Sequence, residues 1–205
     1  TDTGYSNAIN IMRTVREFEN AGVSGMIFED QLSPKKCAAC ANRIELLGVE
    51  EAVGKIRAAV EARQNPDTII IARTDEVDED AAIARAKLYV EAGADLIQPI
   101  SRCFKDIGGL RRLREACGVP LSLQILGWLE SDLSADDIKE VAGLACYPLV
   151  GLMSAAKVLQ DNFSALAIDL GTKNLPQPKM SMDEFKSFIG FTEVEQQQER
   201  FLLTE

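Results

Sequence analysis

The chain has 205 residues, of which 46% are hydrophobic and 26% are charged, and its formal net charge is −10. This composition is typical of one globular domain or slightly more, and it excludes wholesale disorder. The acidic balance argues against nucleic acid or an anionic membrane as a partner, because both require clustered Lys and Arg side chains. The sequence contains no histidine, so it excludes Ser-His triads and leaves acid–base chemistry to Asp, Glu, Cys, Lys or Tyr.

One pattern recurs along the first 150 residues. An amphipathic segment ends in a small residue followed by Gly, as at Ala21-Gly22 and Ala92-Gly93, and a short apolar run follows. Such runs are typical of parallel strands that are buried under helices on both faces. The pattern predicts strands that begin near residues 25, 68, 95, 119 and 144.

The segments between these runs have apolar residues at helical spacing. Ile11, Val15 and Phe18 share one predicted helix face. Further helices are predicted to begin near Asp78 and Ser134, where acidic side chains crowd the first turn. After a break at Asn174–Pro178, two short helices are predicted in the tail. Residues 30–48 form an unusually long connection after a strand, in the position where α/β proteins place sites and lids.

This alternation of strands and helices predicts an α/β fold with a parallel sheet. Five strands fit either a small doubly wound sheet or the last five staves of an eight-stranded barrel. The chain opens on Thr1 and not on Met, which favours a (β/α)8 TIM-type barrel that lacks its first three βα units in this chain. We expect a partial barrel catalytic domain over residues 1–173 and a C-terminal helical extension over residues 174–205.

The sequence also bears on localisation. No secretory signal opens the chain, and the longest uncharged stretch, Val141–Ala156, is too short to span a bilayer. We therefore expect a cytoplasmic protein that does not bind membranes.

Polar residues at the predicted strand ends are the candidates for chemistry. Asp2, Glu29 and Asp30 together suit a hard cation such as Mg²⁺, although they are also compatible with separate solvated acids. Arg73 follows a buried strand, where it could hold a substrate carboxylate through two parallel hydrogen bonds. Its alternative role is an internal ion pair with Asp75 or Glu29 that supports the rim.

The long connection contains a cysteine that is preceded by two lysines. Lys35 and Lys36 favour the thiolate form of Cys37, which makes that thiol a candidate acid or base. Cys37 and Cys40 are also compatible with a redox pair, half of a zinc site, or inert thiols. The three remaining cysteines show no spacing that would complete a zinc site.

Several motifs together resemble the isocitrate lyase/phosphoenolpyruvate mutase superfamily, in sequence and in order from residue 1 to about residue 155. They are Asp2-Thr3-Gly4-Tyr5, Arg13-Thr14-Val15, Ala21-Gly22-Val23, Glu29-Asp30-Gln31, Pro34-Lys35-Lys36-Cys37, Ala72-Arg73-Thr74-Asp75, Ala92-Gly93-Ala94-Asp95 and Tyr147-Pro148-Leu149. The resemblance implies a (β/α)8 barrel and a homo-oligomer, a dimer or tetramer with a terminal helix swapped between subunits.

The same resemblance implies a Mg²⁺ site, with Mn²⁺ as a substitute. Asp2 matches the second acid of the family's Asp-x-Asp pair around the metal, and Glu29 would reach the metal through water. Arg73 would bind a carboxylate of a small carboxylate substrate. Lys35 and Cys37 would belong to a mobile gating loop, in which the cysteine protonates the departing enolate. Further substrate contacts are expected from Tyr5, Ser6 and Gln124.

The chain departs from the lyase branch at several positions. Ala38-Ala39 replaces the Gly-His that follows the lyase cysteine, and Ile100 replaces a Glu. Gln124 aligns with the usual Asn, and Met153 stands where methylisocitrate lyases carry Arg. Because these changes remove polar substrate contacts, they favour a more apolar substrate or a paralogue with weak or no catalysis.

We therefore predict a Mg-dependent C–C bond lyase that acts on a 2-hydroxy carboxylate through an enolate. One alternative is an oxaloacetate hydrolase or decarboxylase of the same superfamily. The other is a non-catalytic barrel that serves as a binding or assembly subunit.

Overall fold

A computed structural model describes residues 1–37 and 44–202 and contains two compact units, Thr1–Leu149 and Val150–Glu205. The first unit alternates helices and strands. Its elements are α1 (Ala8–Asn20), β1 (Gly25–Glu29), α2 (Val49–Ala62), β2 (Ile69–Thr74), α3 (Glu79–Glu91), β3 (Leu96–Pro99), α4 (Ile107–Cys117), β4 (Leu121–Gln124), α5 (Trp128–Asp132), α6 (Ala135–Val141) and β5 (Ala142–Cys146).

The described strands form one parallel sheet in the order β1-β2-β3-β4-β5. A doubly wound sheet reverses its strand order at a switch point, whereas each strand here lies beside its neighbour in sequence. The doubly wound alternative is therefore wrong for this part of the chain, and the α/β fold with a parallel sheet is confirmed. The predicted strand starts agree with the observed ones to within two residues.

The core lies between the sheet and its helices. Ile11 and Val15 of α1 are fully buried, as the helical spacing predicts, and Phe28 of β1 and Ile56 of α2 are buried in the same cluster. Gly4, in the turn before α1, has φ of +84°, and a Cβ atom there would lie 2.2 Å from Ile11 Cγ1. Only glycine fits this turn, because a side chain would collide with the core.

Two predicted helix starts are confirmed by their caps. The Asp78 carboxylate accepts a hydrogen bond from the Ala81 N–H at the start of α3. Ser134 and Asp137 form a reciprocal capping box at the start of α6. Each cap satisfies an N–H that the first helical turn would otherwise leave without a partner.

The second unit contains α7 (Val150–Asp169), α8 (Met182–Phe188) and α9 (Phe191–Phe201), and the last two match the helices predicted in the tail. The unit begins at Val150, whereas the sequence predicts a boundary after residue 173, which stays a prediction. Among the described residues, no helix is both long enough and apolar enough to cross a membrane.

Candidate active site

The parallel sheet brings the predicted polar residues to one edge. Glu29 at the end of β1 is in register with Arg73 on β2, and Arg73 is in register with Gln98 on β3. Because parallel strands end at the same side of a sheet, these side chains form a short polar row at the carboxyl edge. Glu29 and Arg73 therefore lie side by side at this edge.

The N-terminal turn adds Asp2 to this edge. The Glu29 N–H donates to the Asp2 carbonyl oxygen at 3.1 Å, so residues 1–2 run beside the end of β1. The Gly4 N–H donates back to the Thr1 carbonyl oxygen at 3.0 Å and closes the turn. Asp2 itself has φ of +57°, a left-handed conformation that non-glycine residues rarely adopt. Strained backbone of this kind is enriched at functional sites.

Lys35 joins the two predicted metal-binding carboxylates. Its Nζ atom lies 2.9 Å from Asp2 Oδ1 and 2.7 Å from Glu29 Oε1. The Asp2 side chain is 39% exposed, whereas that of Glu29 is only 3% exposed. The carboxylates therefore converge on one point, which a positive charge occupies.

This convergence shifts the pKa values of all three groups. Burial raises the pKa of Asp2, but its hydrogen bond and attraction to Lys35 outweigh burial, so the pKa lies below its ordinary value. Burial of Glu29 raises its pKa, and the neighbouring Lys35 and Arg73 offset that rise only in part. Burial lowers the pKa of Lys35, but hydrogen bonds to Glu29 and Asp2 outweigh burial and raise it overall.

Arg73 makes both of the ion pairs that the sequence left open as its alternative role. Its Nη1 atom lies 3.2 Å from Glu29 Oε2, and its Nη2 and Nε atoms donate to Asp75 Oδ1 at 2.7 and 3.2 Å. Asp75 is 1% exposed, and its carboxylate holds the guanidinium beside Glu29. The predicted contact between Arg73 and a substrate carboxylate stays a prediction.

Asp30, which the sequence suggests as one of three carboxylates for a cation, accepts hydrogen bonds from other residues of the protein. Its Oδ2 atom accepts hydrogen bonds from Tyr89 Oη at 2.7 Å and from Arg85 Nη1 at 3.4 Å, and its Oδ1 atom accepts from the Asp75 N–H at 2.9 Å. Arg85 also donates to the Leu47 carbonyl oxygen at 3.1 Å. Asp30 therefore ties β1 to α3 and to the end of the long connection.

No pattern in the sequence predicted this network around Asp30. Burial, followed by the nearby Asp30 carboxylate, raises the pKa of Tyr89, so its hydroxyl stays a proton donor. Burial also raises the pKa of Asp30, although its hydrogen-bond donors oppose the shift. The available signal was Tyr89 itself, a side chain with a polar tip on the helix face shared with Ala82 and Ala86.

Lys36 and Cys37 are the remaining residues that the sequence singles out in the described part of the long connection. Cys37 is exposed, and Lys36 Nζ pairs with Glu45 Oε1 at 3.2 Å. A carboxylate therefore balances each of the two lysines that precede Cys37. Ala38, Ala39 and Cys40 lie outside the described residues, so the redox-pair hypothesis stays untested.

The predicted substrate-binding residues have mixed surroundings. Tyr5 and Ser6 are exposed in the turn that leads into α1, and Gln124 is half-buried at the end of β4. Ile100 is buried just after β3, whereas Met153 is exposed in the second unit. Their contacts with a substrate stay predictions.

The residues at this edge fit a divalent cation that keeps several water ligands. In the described ranges, no group of three Cys, Asp or Glu side chains is arranged to hold a metal. Mg²⁺, however, needs only one or two carboxylates besides water and substrate oxygens. Glu29 Oε1 is buried, and the Lys35 ammonium 2.7 Å away is what balances its charge. Asp2 and Glu29 are the residues that would hold the cation.

Comparisons with known proteins agree with this geometry. A family model described as phosphoenolpyruvate phosphomutase matches residues 1–146. The 2,3-dimethylmalate lyase of Eubacterium barkeri is 36% identical over 198 residues, covering 94% of this chain and 68% of that protein. The oxaloacetate decarboxylase of Pseudomonas aeruginosa is 37% identical over 194 residues, covering 91% of this chain and 66% of that protein.

A solved structure shows the same fold with ligands bound. Phosphonopyruvate hydrolase in complex with oxalate and Mg²⁺ superposes with a TM-score of 0.83 and 28% identity, over 98% of this chain and 71% of that chain. The chain thus belongs to the isocitrate lyase/phosphoenolpyruvate mutase superfamily, as its motifs indicate. It spans about two thirds of the length of the curated relatives, 68% of the first and 66% of the second.

Proposed function

We propose that this protein is a lyase that uses a divalent metal, Mg²⁺ or Mn²⁺, to cleave a C–C bond of a 2-hydroxy carboxylate. The observation that carries the proposal is the convergence of Asp2 and Glu29 on one cation position, with Arg73 held beside Glu29. Membership of a superfamily whose named relatives include lyases and decarboxylases supports the same reaction type.

The sheet supplies the framework for this site. We propose that its five parallel strands are five of the eight strands of a (β/α)8 barrel, with the carboxyl edge as the catalytic face. We also propose that the protein is a homo-oligomer. In the second unit no residue of α7 is buried, and Leu152, Phe163 and Ile168 are exposed. A second copy of the chain would remove such apolar side chains from water.

The residues at the edge have separable roles in the proposed reaction. A metal ion bound at Asp2 and Glu29 would act as a Lewis acid toward the substrate oxygens. Arg73, held by Asp75, places its guanidinium where it stabilises negative charge on the substrate. Transfer of the hydroxyl proton to a base turns that hydroxyl into a carbonyl as the Cα–Cβ bond breaks, and the departing fragment keeps the electron pair as an enolate. Cys37 then donates its thiol proton to the carbon and is reprotonated from solvent.

We propose an alkyl-substituted 2-hydroxy dicarboxylate as the substrate. Ile100, which stands where the superfamily usually has Glu, is 7% exposed and places an apolar side chain just after β3. The similarity to a 2,3-dimethylmalate lyase favours the same choice. Cleavage of that compound between C2 and C3 would release pyruvate and propionate.

The test is an assay of pyruvate and glyoxylate release from 2,3-dimethylmalate, unsubstituted malate and oxaloacetate, each with Mg²⁺ and with EDTA. Cleavage of unsubstituted malate between C2 and C3 would release glyoxylate, whereas the dimethyl compound would release pyruvate. We expect turnover of 2,3-dimethylmalate that EDTA abolishes and added Mg²⁺ restores. An enzyme-free blank is needed, because oxaloacetate loses carbon dioxide without a catalyst. Turnover that persists in EDTA would contradict the proposed dependence on a divalent metal.

Two other outcomes would favour the alternatives. Pyruvate formed from oxaloacetate alone would favour a decarboxylase, which the 37% identity to a named oxaloacetate decarboxylase also supports. Silence on every substrate, with a thermal shift on ligand addition, would favour a non-catalytic binding subunit.

A further inference from the structure

Gln31 lies where the two ends of the long connection after β1 meet. Its backbone forms an isolated antiparallel bridge with Leu46, and its side chain is among the largest that are fully buried. The amide nitrogen Nε2 donates to Asp75 Oδ2 at 3.1 Å. The amide oxygen Oε1 accepts from the Lys36 N–H at 3.1 Å. One carboxamide therefore contacts both the long connection and the strand that carries Arg73.

The two partners fix the chemistry that this position needs. The Asp75 carboxylate accepts hydrogen bonds and cannot donate one when ionised, whereas the Lys36 N–H only donates. A side chain between them must donate at one end and accept at the other, and it must have the length of Gln. Glu would place a second carboxylate against Asp75, and Met would fill the space without either hydrogen bond.

These two hydrogen bonds complete a chain of contacts across the proposed site. Asp75 holds Arg73 through Oδ1 and uses its other oxygen, Oδ2, for Gln31. On the other side, Lys36 lies between Lys35, which contacts Asp2 and Glu29, and Cys37. Gln31 thus connects the backbone of the 35–37 segment to the carboxylate that orients Arg73.

We propose that Gln31 is a positioning residue that holds the 35–37 segment in a fixed position relative to Arg73. In the proposed reaction this segment carries the thiol that donates the proton. Arg73 stabilises the negative charge on the substrate that this proton neutralises. The effect of Gln31 on catalysis rests on the proposed function, whereas the positioning of the 35–37 segment is a property of the protein without substrate. The two are therefore tested by separate measurements.

The first measurement is amide hydrogen exchange at Lys36 in the protein without substrate, resolved by overlapping fragments. Gln31→Met removes the acceptor, so exchange at this amide is expected to become roughly threefold to tenfold faster, the change that one hydrogen bond supports. Glu45→Gln is the matched control, because it breaks the ion pair of the Lys36 side chain and leaves the backbone contact intact. Exchange in that control is expected to stay within about twofold of the wild type.

A double variant separates positioning from loss of fold. Gln31→Glu combined with Asp75→Asn exchanges the donor and acceptor roles, so that both hydrogen bonds form again with the same net charge. Slow exchange at Lys36 is expected to return in this variant, whereas Gln31→Glu alone places two carboxylates together. Fast exchange in the double variant, or unchanged exchange in Gln31→Met, would overturn the positioning role.

The second measurement is steady-state kinetics on the substrate identified by the pyruvate assay. Gln31→Met is expected to lower kcat about tenfold with KM changed less than about threefold, since Asp75 still holds Arg73 while the thiol is misplaced. A variant that is only less stable would show a lower melting temperature with kcat unchanged below it. That result would reduce Gln31 to a structural residue, even with exchange at Lys36 accelerated.

Discussion

Replacement of Arg73 by Met is expected to lower kcat/KM by about 10²–10³-fold, the cost of removing one preorganised donor from a developing negative charge. The side chain is 15% exposed and lies between two carboxylates that are almost completely buried, those of Glu29 and Asp75. Its removal takes the paired guanidinium from buried Asp75 and leaves Glu29 with Lys35 alone, so the free energy of unfolding is expected to fall by about 3–5 kcal/mol.

Arg73→Lys distinguishes the catalytic loss from the loss of fold. It retains the charge but not the three contacts that the planar guanidinium makes with Glu29 and Asp75. We therefore expect a smaller loss of stability than for Met, with kcat/KM still reduced about tenfold or more. Thermal unfolding and steady-state kinetics on the same preparations make the comparison. An Arg73→Met variant within tenfold of wild-type activity would leave the guanidinium with a structural role only.

Cys37→Ser is expected to lower kcat by about 10²–10⁴-fold, because a serine hydroxyl is a far weaker acid than a thiol at the same position. The substitution changes one atom on an exposed side chain, so unfolding is expected to be unaffected. Steady-state kinetics on the Ser variant measures the change. Cys117→Ala is the matched control, since this buried thiol at the end of α4 lies in the core cluster.

Two outcomes bear on the proton donor. Burial raises the pKa of Cys117 to about 11, so this thiol stays protonated in the working range and its loss is expected to change kcat less than about twofold. Unchanged turnover in Cys37→Ser would remove Cys37 from the mechanism and require another proton donor at the same edge.

Local patterns account for what the sequence predicted. Four of the five described strands follow a Gly or Pro within a few residues, and each confirmed helix start has a capping residue, as at Asp78 and Ser134. Such features depend on neighbours within a few residues, so they are readable without the fold. The placement of Glu29 beside Arg73 followed from a general property of parallel sheets, that their carboxyl ends share one edge.

Long-range partners account for what the sequence did not predict. Tyr89 contacts Asp30 across 59 positions and Gln31 contacts Asp75 across 44. The first contact depends on the position of α3 beside the end of β1, and the second depends on the register between β1 and β2. The contacts of Lys35 with Asp2 and Glu29 were likewise not readable from its place beside Cys37 along the chain. Charge pairing of this kind is decided by distance in the fold and not by distance along the chain.

Titration of the metal-free protein with Mn²⁺, followed by calorimetry, measures whether Asp2 and Glu29 hold a divalent cation. We predict one bound Mn²⁺ per chain and an affinity about tenfold to a hundredfold weaker in Asp2→Asn. Lys35→Met is predicted to bind Mn²⁺ at least as tightly as the wild type, because it removes the ammonium that lies against both carboxylates. Equal affinity in the wild type and Asp2→Asn, or no binding to either, would contradict the metal site.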